Sequence, residues 1–154
     1  MKNYTLQKDF GKYGARWACC SASILNIAEN EINRKLTKTE IKTVIGEWLL
    51  SQSVSIANYH SHKQPLDRTG FTNEWSPFND PEWHFLVNNF DICLTDVFKA
   101  IGKKAKTKKA VYKIVLFDVY AGHYCLMIND KIINPDPSID ISNATITKII
   151  KMEV

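Results

Sequence analysis

Apolar residues recur along this chain with two different periods, and the change from one to the other divides it. From Ala15 to Glu29 the spacing is helical: Trp17, Cys20, Ile24, Ile27 and Ala28 share a face at i, i+3 and i+4, and Ala18, Ala22 and Leu25 widen it. A stretch this apolar and this rich in small residues predicts a helix packed on a sheet. A second helix is predicted from about Lys38 to Gln52. Thr37-Lys38-Thr39-Glu40 has capping-box spacing, and Ile41, Val44, Ile45, Trp48 and Leu49 form one stripe. Thr95 is placed to cap a third, from Asp96 to about Lys103, with Val97, Phe98, Ala100 and Ile101 facing inward.

From Ala110 the texture turns to β. Val111 to Tyr120 is β-branched and aromatic, and a second apolar run follows from Tyr124 to Ile128. Asn129-Asp130-Lys131 reads as a tight turn, and the return strand from Lys131 to Ile133 stops at Asn134-Pro135, because proline cannot donate to a ladder. Thr145 to Met152 closes the sheet. Helices first and antiparallel strands later define the α+β class. No repeat or linker divides residues 1–154, so a single domain is expected. The irregular part is 53–82, with a short strand at Ser53 to Ala57. Trp75, Phe78, Trp83 and Phe85 read as anchors for a loop over a cleft, and Trp83 to Val87 as a short strand or helical turn.

Composition narrows the function classes. With 154 residues, 45% hydrophobic and 23% charged, the chain is built to bury a core rather than to stay disordered. No apolar run approaches the roughly 18 residues of a membrane span. The first ten residues lack the apolar centre of a signal peptide, so a cytoplasmic protein without a membrane partner is expected. The net charge of +4 gathers partly in Lys103 to Lys109, which follows a helix end and reads as a solvated face. With no aromatic interleaving, no nucleic-acid partner is expected. Cys19, Cys20, Cys93 and Cys125 form neither a disulfide framework nor a CxxC zinc site, and most of them read as buried, reduced and inert. His60 and His62 have no acidic or cysteine ligands beside them and read as a loop pair, so no metal or organic cofactor is expected.

The hairpin is where chemistry enters. His123 begins one strand, and Asn134 follows the end of its partner with Asp136 two residues on, so a tight turn brings the histidine beside one of them. A histidine held by an amide or carboxylate is the base-and-orienter half of a nucleophilic site. The plain alternative is a hairpin with one polar residue at each end. The difference lies in whether the chain supplies a nucleophile.

A glutamine (Gln7) before a buried helix, then Gly122-His123 at a strand start and Asn134-Pro135 or Asp136-Pro137 at the next strand's end, resembles the papain-like cysteine peptidase superfamily. Within it the likeness is to the compact bacterial and phage peptidases of the bacteriocin-processing kind. The chain is also similar to uncharacterised spirochaete and phage proteins whose helix opens with Tyr-Gly-Cys. The resemblance runs from Gln7 to Pro137 and rests on short motifs. It implies a papain-like core, a peptide or protein substrate, Gln7 at the oxyanion, His123 as general base and Asn134 as its orienter. Asp136 is the competing orienter; Asn134 is preferred because it directly follows the Ile132-Ile133 strand.

The nucleophile departs from the pattern. The resemblance puts a cysteine in the first turn of the central helix, and Ala15 stands there after Tyr13-Gly14. A methyl group cannot attack a carbonyl. Three explanations fit: a deliberate Cys-to-Ala substitution; a natural binding or inhibitory module of phage or plasmid origin that uses the same cleft; or a register one turn off, with Cys19 or Cys20 as the thiol. The sequence fixes no oligomeric state.

Overall fold

The computed structural model of the protein describes residues 3–10, 18–41, 43–44, 94–102 and 110–153. Expectations for Ala15, for the second helix beyond Val44, for 53–82, for Trp83 to Val87, for Cys93 and for the 103–109 lysines lie outside these residues.

Helix α1 spans Cys19–Ile32 and is buried throughout from Ser21 to Glu29. It runs three residues past the periodic stretch because its last turn is held by the fold. Asn30 Nδ2 donates to the Tyr112 hydroxyl at 2.8 Å, and the Tyr4 hydroxyl donates to Asn30 Oδ1 at 3.2 Å. It stops at Asn33, which adopts the left-handed conformation at φ 58° that asparagine tolerates better than most residues. Leu25 and Ile27 are wholly buried, each contributing about 1.5–3 kcal/mol of apolar burial. Truncating Ile27 to alanine would open a cavity in the layer between helix and sheet.

Helix α2 opens where the capping box places it and is described over 38–41 and 43–44. The Glu40 N–H donates to Thr37 Oγ1 at 3.1 Å, and the Thr37 N–H donates to Glu40 Oε1 at 3.0 Å. Leu36 and Ile41 flank the cap as buried members of the main core, in the positions of a hydrophobic staple. Arg34 grips the Glu40 carboxylate through two nitrogens, at 2.7 and 2.9 Å. Helix α3 spans Leu94–Ala100. It begins before Thr95, so Thr95 lies inside the helix instead of capping it. Leu94, Val97 and Phe98 enter the core, and the chain turns out at Gly102 with φ 65°.

The strands β1 (Tyr112–Phe117), β2 (His123–Ile128), β3 (Lys131–Ile133) and β4 (Ile146–Met152) form one antiparallel sheet in the order β3-β2-β1-β4. Three consecutive strands with a fourth returning beside the first is a Greek key. The molecule is therefore α+β, with α1 packed on a C-terminal antiparallel sheet. β1 is shorter than the apolar run, because the Asp118 carboxylate and N–H bond the backbone of Thr145 and Tyr120 takes a positive φ of 54°.

Strand alternation sorts the side chains into two layers. Tyr112, Ile114, Tyr124, Leu126 and Ile128 face α1 in the larger core. Val115, Phe117 and Cys125 face the other way, under Ile141 and Ala144 of the 134–145 connection.

Candidate active site

The hairpin is closed by a two-residue turn. Asn129 takes a positive φ of 49°, and Ile128 pairs with Lys131. That register puts Leu126 opposite Ile133 and leaves the first part of β2 beyond the end of β3. His123 and Asn134 meet there: His123 Nε2 lies 2.8 Å from Asn134 Oδ1, and the imidazole is 2% exposed. Gly122 precedes the histidine in a backbone conformation that favours glycine. Its φ is 107°, and a Cβ would stand 3.2 Å from Leu116 Cδ1, so a side chain there meets both backbone strain and a close neighbour.

The Asn134 amide is oriented by backbone groups with no freedom of role. Its Nδ2 donates to the Ile139 carbonyl at 3.0 Å, and its Oδ1 accepts the Asp136 N–H at 3.0 Å. Inverting the amide would set donor against donor and acceptor against acceptor. The oxygen therefore faces His123, Nε2 must carry the proton, and Nδ1 is the basic nitrogen of the neutral ring. A histidine whose tautomer is fixed by a neighbour is what general-base chemistry needs.

Asp136 holds the orienter rather than the base. Its N–H bonds Asn134, and its carboxylate accepts the Ser138 N–H at 3.1 Å and the Ser138 hydroxyl at 2.6 Å. Gln7 joins the same corner. It begins a single 3-10 turn, Gln7–Phe10, is 3% exposed, and its N–H donates to the Pro135 carbonyl at 2.7 Å. The structure thus brings Gln7, His123, Asn134 and Asp136 to one end of the sheet. Ala15 lies outside the described residues.

The two layers constrain how a thiol could join them. Register sets His123 opposite Phe117, on the face turned away from α1. A group delivered from the start of α1 must come round the edge of β2 where β3 has already ended. Cys19, the first residue of α1, stands near that edge and receives a backbone hydrogen bond from Tyr124. Burial nevertheless pushes its thiol up, and the backbone hydrogen bonds offset this only in part. Cys125 is fully buried and is pushed up to about 12, chiefly by burial. Neither thiol is poised as a thiolate.

A buried carboxylate that the sequence reading passed over secures the Gln7 segment. Glu29 of α1 is wholly buried and accepts the Thr5 N–H at 2.9 Å, the Thr5 hydroxyl at 2.7 Å, Asn26 Nδ2 at 2.8 Å and the Leu36 N–H at 2.7 Å. Asn26 also donates to the Thr5 carbonyl at 2.9 Å. Burial raises the Glu29 pKa above its ordinary value, against the pull of these bonds. The available signal was Asn26 and Glu29 at i and i+3 among apolar neighbours, two polar residues on a face that otherwise packs.

No family model, curated protein or solved structure matches the chain. Among the described residues, no group of three or more His, Cys, Asp or Glu could hold a metal ion, and no helix is long and apolar enough to cross a membrane.

Proposed function

We propose that this is a cysteine peptidase-like protein with a papain-like core. Its site is arranged for thiol-dependent hydrolysis of a peptide or isopeptide bond, and it is inactive as it stands because Ala15 occupies the nucleophile position. The observation that carries this reading is the His123–Asn134 pair, whose amide is locked by the Ile139 carbonyl and the Asp136 N–H. A hairpin with incidental polar ends has no need for a base of fixed tautomer. In the active form, His123 Nδ1 takes the proton from a thiol at position 15 and the sulfur attacks the carbonyl carbon. Gln7 and a backbone N–H hold the oxyanion. The imidazolium then returns the proton to the leaving amine, and water hydrolyses the acyl-enzyme. The partner is a peptide or protein chain.

The test is Ala15→Cys. On this reading the new thiol pairs with the His123 base and should titrate well below the free value of about 8.5. Mass-spectrometric alkylation from about pH 4 to 9 should show it reacting faster than any other cysteine, and adding His123→Ala should remove the excess. If the new thiol titrates like a free one and ignores His123, the chain is instead a binding or inhibitory module.

A further inference from the structure

The sheet's other edge lies two strands from the His123 site. β4 runs along it from Ile146 to Met152, and among the described residues β1 is the strand it pairs with. Every residue from Ile146 to Lys151 is exposed, with Ile149 at 58%. Such a strand offers alternate N–H and C=O groups to any extended chain laid beside it. Its end near Phe117 is closed to flat pairing by a register shift between Leu116 and Phe117, while the register runs unbroken from Lys148 to Met152.

The charges on this edge specify what fits. β4 carries Lys148 and Lys151, and Lys151 lies directly opposite Lys113 of β1. Like charges in register across a pair of strands are unfavourable. Among the described residues the ion pairs are Arg34 with Glu40 and Lys35 with Asp9, so no carboxylate of the described residues is paired with these three lysines. Asp130, which lines a surface hollow with Lys113, makes no ion pair with it. A second copy is a poor occupant, because antiparallel pairing of two β4 strands would gather four lysines along one short edge.

We propose that β4 is a docking edge for an acidic, extended peptide segment, which adds as a fifth strand. Its carboxylates meet Lys148 and Lys151, and its β-branched side chains pack on Ile149 and Ile150. The lysines then act as selectors: they repel self-pairing and admit the complementary strand. This inference is independent of the His123 site.

The experiment is an amide NMR titration of the full chain at low salt with two synthetic heptapeptides. Both alternate threonine and valine, and they differ only in carrying two glutamates or two lysines. The glutamate peptide should perturb and protect the 146–152 amides and bind about tenfold more tightly than its lysine counterpart, the effect of two cross-strand charge pairs. The double variant Lys148→Glu/Lys151→Glu, on solvent-facing positions that leave the fold intact, should reverse that preference. Equal binding of the two peptides, shifts confined to residues outside β4, or a preference unchanged in the double variant would overturn the proposal. Concentration-dependent dimerisation through β4 would assign the edge to a second copy and overturn it equally.

Discussion

Glu29→Gln puts an amide into a pocket that holds only donors. In the wild type, Oε1 accepts from the Thr5 N–H and Asn26, and Oε2 accepts from the Thr5 hydroxyl and the Leu36 N–H. With the new NH2 at Oε2, the Thr5 hydroxyl can turn and accept, but the Leu36 N–H is orphaned. With it at Oε1, the Thr5 N–H is orphaned, and Asn26 must invert and lose its 2.9 Å bond to the Thr5 carbonyl. The first arrangement costs less. One buried, unsatisfied N–H is worth about 1–3 kcal/mol, and losing charge assistance on the remaining bonds adds roughly 1 kcal/mol, offset in part by relief from burying a charge. A net loss of about 1–3 kcal/mol follows, read as a lower urea midpoint at pH 7.5 with an unchanged slope. The pH dependence has a definite sign. Burial raises the folded pKa of Glu29 above its ordinary 4.5, so the folded protein binds this proton more readily than the unfolded chain. Wild-type stability from this group therefore rises as pH falls from above the folded pKa towards 4.5, and the glutamine variant has no such term. The gap between the two should widen on acidification. A gap below about 0.5 kcal/mol at pH 7.5, within the range of an ordinary surface substitution, would refute the four-bond clamp, and one that narrows towards pH 5 would show that these bonds outweigh burial and would refute the raised pKa.

Asn134→Ala should free the imidazole. Nitrogen chemical shifts of His123 should move from a single Nε2–H tautomer to a mixture, and an unchanged spectrum would show that Asn134 does not set it. Cys125 should resist alkylation at pH 8 in the folded protein and react once urea unfolds the chain, since burial pushes its thiol up to about 12; modification at a free-thiol rate without unfolding would contradict its burial. Thr37→Ala should cost about 1 kcal/mol through the lost cap. Glu40→Gln should cost at most about 1 kcal/mol, as exposed pairs do. Arg34 holds the Glu40 pKa down to about 2, so that contribution is full above 4.5 and fades as pH falls through about 2.

Local chemistry was legible in the sequence, and partners distant in the chain were not. The Thr37–Glu40 box, the Asn129-Asp130 turn and the stop at Asn134-Pro135 depend on residues within a few positions, so their spacing locates them. The hairpin alone brings His123 to Asn134. Helix ends fared worse wherever a distant contact decides them: α1 continues past Glu29 because Asn30 meets Tyr112, and nothing in the 15–29 stretch announces a tyrosine on β1. The choice between Asn134 and Asp136 needed the Ile139 carbonyl, which composition cannot reveal. The face on which His123 lies depends on strand register, where a slip of one residue turns every side chain over.

The Greek-key path also orders events in time. Loop closure favours contacts between near neighbours, so the β1–β2–β3 meander gains its pairing before the chain has travelled round through 134–145 to lay β4 against β1. His123 and Asn134, eleven residues apart, belong to that early piece, and the Ile139 anchor closes within the same local segment. β4 arrives late, bonded among the described residues along one side only, and should leave before the β1–β2 pair does. The base and its orienter are thus among the last contacts to dissolve, while the outer strand can detach and re-pair without disturbing them.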